Sequence, residues 1–599
     1  MSDSGTLATD WSEQDNNAEP AAWPFRPLLL ALLGLATGLA AHFLLGNEFF
    51  GREPSALTLA ELAVLTVTTG LIGFTIERRL WWAAVVFALV CGVLAGAVVW
   101  WNGVPSQWSG GDGWRVACLF LAIAIAAPLF QAARDEGAIR FPYASVHDHA
   151  WSNIVLWGAC WAFVGISFVL AVLLGALFHL IKLDFLQDLT REYWFIRALM
   201  GTAFGGALGL LREQTQVVRL LQRVVATVLA VLAPVLAVGL ILFVLALPFT
   251  GLGALWDATS ATTPILLTCV VGALILVNAV IGELPDHERK FPLLKFGAMG
   301  LGLVVFPLAV IAAIAIGLRI GQYGYTPERL WALTFVVIAT AFALAYLVSL
   351  LRGRLDWATV VRPANLRLAF AVCGVALLLA TPLVSFNAIS TRDQVARLES
   401  GNISPEQFDW RALAFDFGQP GKDALKRLTA SRNAAVREPA LAASKAEYRY
   451  DVSDGRAAKR VDDLTGRLRV LPHGTAVPED LKKLVADDYP CGTRGKCTLT
   501  FLPGGSEALL IDDGCFATPP PAPVETRATS VAVPDCSQSN PARFVRKDEK
   551  WAAASSAHSP RDTPDVPAAV AYSAGRIEVR KVERRQVFVG DRPVGDAFE

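Results

Sequence analysis

The chain has 599 residues, 54% of them hydrophobic and 18% charged, with 17 Trp and 32 Phe. Soluble domains carry about 25% charged residues, so this composition, with a mean hydropathy of +0.45, excludes an ordinary soluble protein. A formal net charge of zero supplies no basic stripe of the kind that tracks phosphates, and nucleic acid is not an expected partner.

The first 26 residues hold Asp3, Asp10, Glu13, Asp15 and Glu19 and are expected to form a disordered cytoplasmic tail. No basic region precedes the first apolar run, which is therefore expected to remain as an anchor rather than be cleaved as a signal. From residue 27 to residue 386, segments of membrane length follow one another. About 20 apolar residues match the roughly 30 Å hydrocarbon core of a bilayer, and in lipid such a run must be helical to satisfy its own backbone. Eleven spans are predicted, near 27–45, 57–76, 80–101, 114–131, 152–181, 195–211, 224–247, 261–282, 293–318, 330–350 and 366–386. The second, fourth and sixth are the weakest, being short or interrupted by Glu61. Trp81, Trp82, Trp100 and Trp101 bracket the third, as amphipathic rings do at headgroup level.

Lys and Arg in short connections favour the cytoplasmic side. With the N-terminus inside, about fifteen fall on the inner side, Arg26, Arg78, Arg79, Arg134, Arg212 and Arg362 among them, against about seven outside. An odd number of spans then carries the remainder of the chain, residues 387–599, to the periplasmic side of a bacterial inner membrane. Small residues recur at helix-packing spacing: Gly34 and Gly38, Gly92 and Gly96, then Gly201, Gly205 and Gly209. Packing within one bundle is the simpler explanation of that spacing, and dimerisation the alternative. Pro128, Pro234, Pro248, Pro307 and Pro382 are positioned to kink or end helices, a pattern that suits transporters.

Beyond the last span the pattern is that of a soluble α+β domain. Ser404-Pro-Glu-Gln resembles a capped helix start, and the Ala- and charge-rich stretch from Ala434 to Val485 predicts further helix. Strands are expected at Thr498 to Leu502 and Ala508 to Ile511 across a Pro503 to Ser506 turn, with another at Arg543 to Arg546. Residues 517–567, rich in Pro, Ser and Ala, predict mobile loops, and Ile577 to Val587 with Gly590-Asp591 predicts a closing hairpin. Cys491, Cys497, Cys515 and Cys536 all lie in this part, and an even number of cysteines outside the cytoplasm predicts disulfides of undetermined connectivity. Four unpaired thiols in a cytosolic domain are the alternative. The spacing of Cys491 and Cys497 does not suit zinc.

Few residues suggest chemistry. His147, Asp148 and His149 lie in an unusually polar connection, Arg134 to Asn153, where imidazole and carboxylate could bind a metal or move a proton. Two histidines are too few ligands for a metal site, and an interfacial loop with Tyr143 and Trp151 at the headgroups is the favoured explanation of the segment. Ionisable or polar residues within spans are functional candidates because charge in hydrocarbon costs about 2.5–3.5 kcal/mol. Glu61, His42 and His179 qualify, with Asn278 and Glu283 near the end of the eighth span, and all except Glu61 lie toward span ends. There is no catalytic motif, no metal or cofactor signature and no chain of acids like a proton relay.

The stretches FPYASVHDHAWSNIVLW, GALFHLIKLDFLQDLTREYWF, RIGQYGYTPERLWAL, RPANLRLA and STRDQVARLESGNISPEQFDWRALAFDFGQPGKDAL together resemble the bacterial polytopic membrane family called domain of unknown function 4153. The resemblance covers roughly residues 25–430 and implies a many-span inner-membrane protein without established activity. It supplies no catalytic residues. Three hypotheses follow: a transport or lipid-handling protein, a non-enzymatic sensor or scaffold whose periplasmic domain binds an envelope partner, and, least favoured, a membrane transferase using His147, Asp148 and His149. The expected partners are the bilayer and an envelope protein or lipid.

Overall fold

A computed structural model describes residues 23–46, 53–109, 111–258, 262–289, 291–449, 452, 464, 466–488, 497–502, 504–512, 542–547, 550–554, 585–589 and 592–598. The predicted tail up to residue 22, the cysteines Cys491, Cys515 and Cys536, and the predicted loops of 517–567, apart from the strands named below, lie outside these residues. The chain divides into two compact units, one of residues 1–395 with 416–421 and the other of residues 396–415 with 422–599.

The first unit is helical. Eleven of its helices are long and apolar enough to cross a membrane. They are α1 (Arg26–Leu45), α2 (Ala56–Thr75), α3 (Trp81–Asn102), α4 (Asp112–Glu136), α5 (Tyr143–Leu180), α7 (Tyr193–Glu213), α8 (Thr215–Ala258), α9 (Thr262–Ile281), α10 (Pro292–Tyr323), α11 (Pro327–Gly353) and α12 (Ala358–Ala380), with the short α6 (Phe185–Leu189) after α5. All three of the weakest predicted spans are present as α2, α4 and α7. The helices run through Pro128, Pro234 and Pro307, and the interruption in α8 falls at Gly251, three residues after Pro248.

Glycine decides how the first helices meet. A Cβ at Gly34 would lie 1.9 Å from the Gly201 carbonyl oxygen, and one at Gly205 would lie 2.0 Å from that of Leu30. α1 and α7 therefore touch backbone to backbone, and the repeated glycines are used up inside one chain. Gly92 and Gly96 seat α3 on Thr68, Val64 and Ala60 of α2 in the same way. α10 is the most enclosed span, packed among α8, α9 and α11 through Leu301, Val305, Leu308 and Ala312.

Three predictions about local structure need correction, the third in the sheet of the second unit. The polar connection Arg134 to Asn153 is mostly helix: α4 continues to Glu136, and α5 begins at Tyr143, so His147, Asp148 and His149 occupy its first turns. At about 1.5 Å per residue a 38-residue helix is nearly twice the hydrocarbon thickness, and hydropathy alone sees only its apolar middle. The Ser404 segment forms a turn, with Gln407 N–H donating to Ser404 O, and helical backbone resumes only at Trp410.

After α12 the chain forms α13 (Phe386–Glu399) and α14 (Gly418–Leu428), and the second unit contains α15 (Ala434–Lys445), α16 (Glu479–Asp488) and a five-stranded sheet in the order β1-β2-β3-β4-β5. Its strands are β1 (Leu468–Leu471), β2 (Cys497–Phe501), β3 (Glu507–Asp512), β4 (Ala542–Lys547) and β5 (Lys550–Ala554). β1 pairs parallel to β2 and the other neighbours are antiparallel. β1 lies inside the stretch predicted as helix: Leu468, Val470 and Leu471 gain an edge pairing with β2 that local composition does not announce. The predicted hairpin between β2 and β3 is present, with Phe501 opposite Ala508. β6 (Arg585–Val589) and β7 (Arg592–Phe598) form the closing hairpin. Leu481 and Val485 of α16 pack on Leu499, Phe544 and Trp551 to make this unit's core.

Candidate functional site

Polar side chains of the helical unit gather where the starts of α1, α5 and α12 meet the ends of α2, α4, α7 and α9. Helix ends leave carbonyls without intrahelical partners and carry partial negative charge, so they attract guanidinium donors. Arg212 donates to Gly73 O at 2.6 Å and Ile76 O at 3.0 Å, and Arg134 donates to Thr75 O, so arginines of α7 and α4 close the end of α2. Arg362 of α12 does the same for α9, donating to Ile281 O at 2.6 Å.

These guanidinium groups are buried and mostly paired. Glu77 accepts from Arg26 and Arg212, each at 2.5 Å, through different carboxylate oxygens. Arg26 also lies 3.2 Å from Glu213, Arg134 lies 2.6 Å from Asp135, and Arg362 lies 3.6 Å from Glu288. The side chains of all four arginines are less than a tenth exposed. A buried charge of this kind is tolerated only with its partners in place.

Beside this cluster lies a network of neutral groups. Asn278 of α9 donates to Tyr346 Oη of α11 at 2.9 Å and accepts from Asn365 of α12 at 2.8 Å. Tyr143, at the start of α5, faces Asn365 and Arg362, and its ring lies 5.4 Å from that of His147. His147 accepts at Nε2 from Trp151 at 3.1 Å, which requires an unprotonated Nε2. Tyr143 Oη and Asn365 Oδ1 are buried with no hydrogen-bond partner among the described residues.

The structure brings some predicted residues together and separates others. Asn278 is a hub of the network. Glu283, just past α9, lies 2.8 Å from His287, and burial followed by the neighbouring Asp148 pushes its carboxyl above the usual range despite His287. His147 belongs to the network's edge, but Asp148 is exposed with Gln222 at 3.5 Å, and His149 pairs with Asp135 at 2.9 Å. The His147-Asp148-His149 triplet thus has three separate sets of contacts. Among the described residues no three His, Cys, Asp or Glu side chains converge as metal ligands. Glu61 is exposed on α2, His42 accepts from Arg197 at 3.1 Å, and the exposed His179 lies 2.5 Å from Asp184. Cys497 is buried at the start of β2. Sequence reasoning counted Arg26, Arg134, Arg212 and Arg362 only as loop charges and did not single out Tyr346 or Asn365. An arginine abutting an apolar run, as in Leu210-Leu211-Arg212, was the available signal.

The opposite ends of the helices meet differently. Arg197 donates to Gly46 O at 2.8 Å, Asn102 to Asp112 O at 3.1 Å, and Asn387 to Ser109 at 2.9 Å. Gln394 donates to Tyr323 O and Tyr325 O, so the chain following α12 runs along the face away from Arg26 and Arg362. No protein-family model, curated protein or solved structure matches this chain.

Proposed function

We propose that this is a multi-pass bacterial inner-membrane protein that transports or handles a lipidic or neutral substrate in the cell envelope. The observation that carries this reading is the buried polar pair Tyr143 and Asn365, whose side chains face each other while Tyr143 Oη and Asn365 Oδ1 are left without a well-formed hydrogen bond, beside the Asn278–Tyr346 hydrogen bond. One is a donor and the other an acceptor, set among apolar helices where an unsatisfied polar group is costly. A substrate hydroxyl or amide that bridged them would gain what the protein alone leaves unmade. The test is reconstitution into vesicles, with movement of labelled lipids and small neutral solutes followed for the natural chain and for Tyr143→Phe with Asn365→Leu. Movement above that of empty vesicles, lost in the double variant, is expected; no movement of any of them overturns the reading.

The same reading places the N-terminus and the arginine-rich helix ends in the cytoplasm and the second unit in the periplasm, with disulfides among Cys491, Cys497, Cys515 and Cys536. Eleven crossings, the positive-inside bias and the course of residues 387–395 support it. A reporter fused after Glu599 is expected to be active only outside the cytosol, and cytosolic activity would refute both sidedness and oxidation. We propose membership of the domain of unknown function 4153 family on the motifs quoted above. A sensor or scaffold is the alternative, favoured by a second unit with its own core and a sheet ending at β1 and β5. Site-specific crosslinking from β1 or β5 that captured a discrete envelope protein would support that alternative over transport.

A further inference from the structure

An open cavity of about 330 Å³ lies among the ends of α1, α2 and α4, lined by Arg26, Glu77, Arg78, Arg79, Arg134 and Asp135. Small-molecule sites begin at about 300 Å³, so the space is sufficient for a headgroup. Its charges do not cancel. Glu77 and Asp135 are engaged by Arg26, Arg212, Arg134 and His149, whereas Arg78 and Arg79 are exposed at the rim and have no carboxylate partner among the described residues. Four guanidinium groups therefore face two carboxylates. The floor is rigid, since Arg26 and Arg134 are buried and tied to carboxylates, and Arg134 also to a backbone carbonyl. Arg26 Nε is buried and lies 3.2 Å from Glu213 Oε1, an ion pair without hydrogen-bond alignment. The Trp23 ring is flanked by the guanidinium groups of Arg26 at 5.2 Å and Arg78 at 5.8 Å, an arrangement that holds both at the cavity edge. Arg79 lies against the bare face of Gly137, where a Cβ would come within 3.2 Å of its Nη2.

We propose that this cavity binds a phosphate ester, namely the phosphodiester headgroup of an anionic phospholipid at the membrane surface. Guanidinium forks match phosphate oxygens two at a time, and basic pockets between membrane helices receive anionic headgroups. The inference rests on the membrane placement proposed above but not on transport, and it uses none of the residues of the Tyr143–Asn365 network.

The test uses the full chain in phosphatidylcholine nanodiscs titrated with fluorescent phosphatidylglycerol, with inorganic phosphate as competitor. Saturable binding is expected, weakened about thirtyfold in Arg78→Gln with Arg79→Gln, at about fivefold per arginine near the surface. Both side chains are exposed, so an unchanged melting midpoint is the control for folding. Arg78→Lys with Arg79→Lys keeps the charge but loses the fork and is expected to fall between. Displacement by millimolar inorganic phosphate would assign the same site to free phosphate rather than lipid and overturn the lipid source. Wild-type affinity in the double Gln variant, or no preference for phosphatidylglycerol over phosphatidylcholine, would overturn the site itself. Tyr143→Phe with Asn365→Leu should leave this binding unchanged even if it abolishes transport.

Discussion

The two units of this chain are built with opposite polarity. The helical unit turns large apolar side chains outward, with Phe43 83%, Val235 70% and Leu173 63% exposed, and holds Arg26, Gln131, Arg134 and Arg362 inside. The second unit buries Leu481, Leu499 and Phe544 completely and leaves Arg469, Glu479 and Lys550 outside. Water makes apolar burial favourable, so the second unit follows the usual pattern. In lipid there is no such force between helices, and close backbone contact and buried polar pairs take over. The contrast points to a bilayer around the helices on grounds independent of hydropathy averages.

The comparison breaks most easily through matched truncations. Phe544→Ala in the sheet core is expected to cost about 3–5 kcal/mol, whereas Phe43→Ala, on an outward face of α1, should change stability by less than about 0.5 kcal/mol. Thermal unfolding in detergent, with proteolysis to report each unit separately, checks both, and similar losses would remove the contrast. Glu77→Ala is the corresponding core lesion of the helical unit. It takes the Glu77 carboxylate from Arg212 and leaves Arg26 with Glu213 alone, and removal of one partner from a buried pair costs about 3–5 kcal/mol.

The eleven spans were legible because length and apolarity are enough to mark a membrane helix. The grouping of arginines at one set of helix ends was legible for a related reason, since they flank the apolar runs. What the arginines do was not. Arg212 and Glu77 are 135 residues apart, and no local pattern reveals that one guanidinium closes another helix's end. Helix continuation through Arg134 and from Tyr143 was missed because hydropathy falls at charges while backbone hydrogen bonding continues. β1 was missed because its strand character comes from β2, not from its own neighbours. Of the candidate residues, Asn278 was found through its polarity in an apolar run, whereas Tyr346 and Asn365, its partners, became visible only once α11 and α12 were packed beside it.

A smaller effect sharpens the account of how lipid-facing helices associate. Gly34→Val places side-chain atoms where the Gly201 carbonyl already lies and is expected to cost about 1–3 kcal/mol, separating α1 from α7. Disulfide trapping between cysteines introduced on α1 and α7 should lose efficiency. The same substitution at Gly158, where nothing lies within 4 Å of a Cβ, should be far milder. Smaller again is Tyr346→Phe, which removes one hydrogen bond from Asn278 and should cost about 0.6–1 kcal/mol, read as a lower melting midpoint.

The least perturbing comparison uses pH, because the two units contain glutamates displaced in opposite directions. At Glu507 burial raises the carboxyl's affinity for a proton, but the hydrogen bond and charge of Arg543, aided by Arg585, outweigh it and hold the group below the usual range. Its stabilising contribution is present above the unfolded value of about 4.3 and lost as pH falls through the lower folded value. Glu283 is raised, so its contribution is complete below about 4.3 and lost as pH rises through its higher folded value. Melting of each unit between about pH 3 and pH 7 should therefore respond oppositely to two neutral substitutions. Glu507→Gln should flatten an acid-side loss in the second unit, and Glu283→Gln should flatten a loss on the rising side in the helical unit. A shift of the same sign from both would mean that Glu283 is not held in a desolvating environment at the end of α9, and the polar network beside it would have to be as open to solvent as the sheet surface around Glu507.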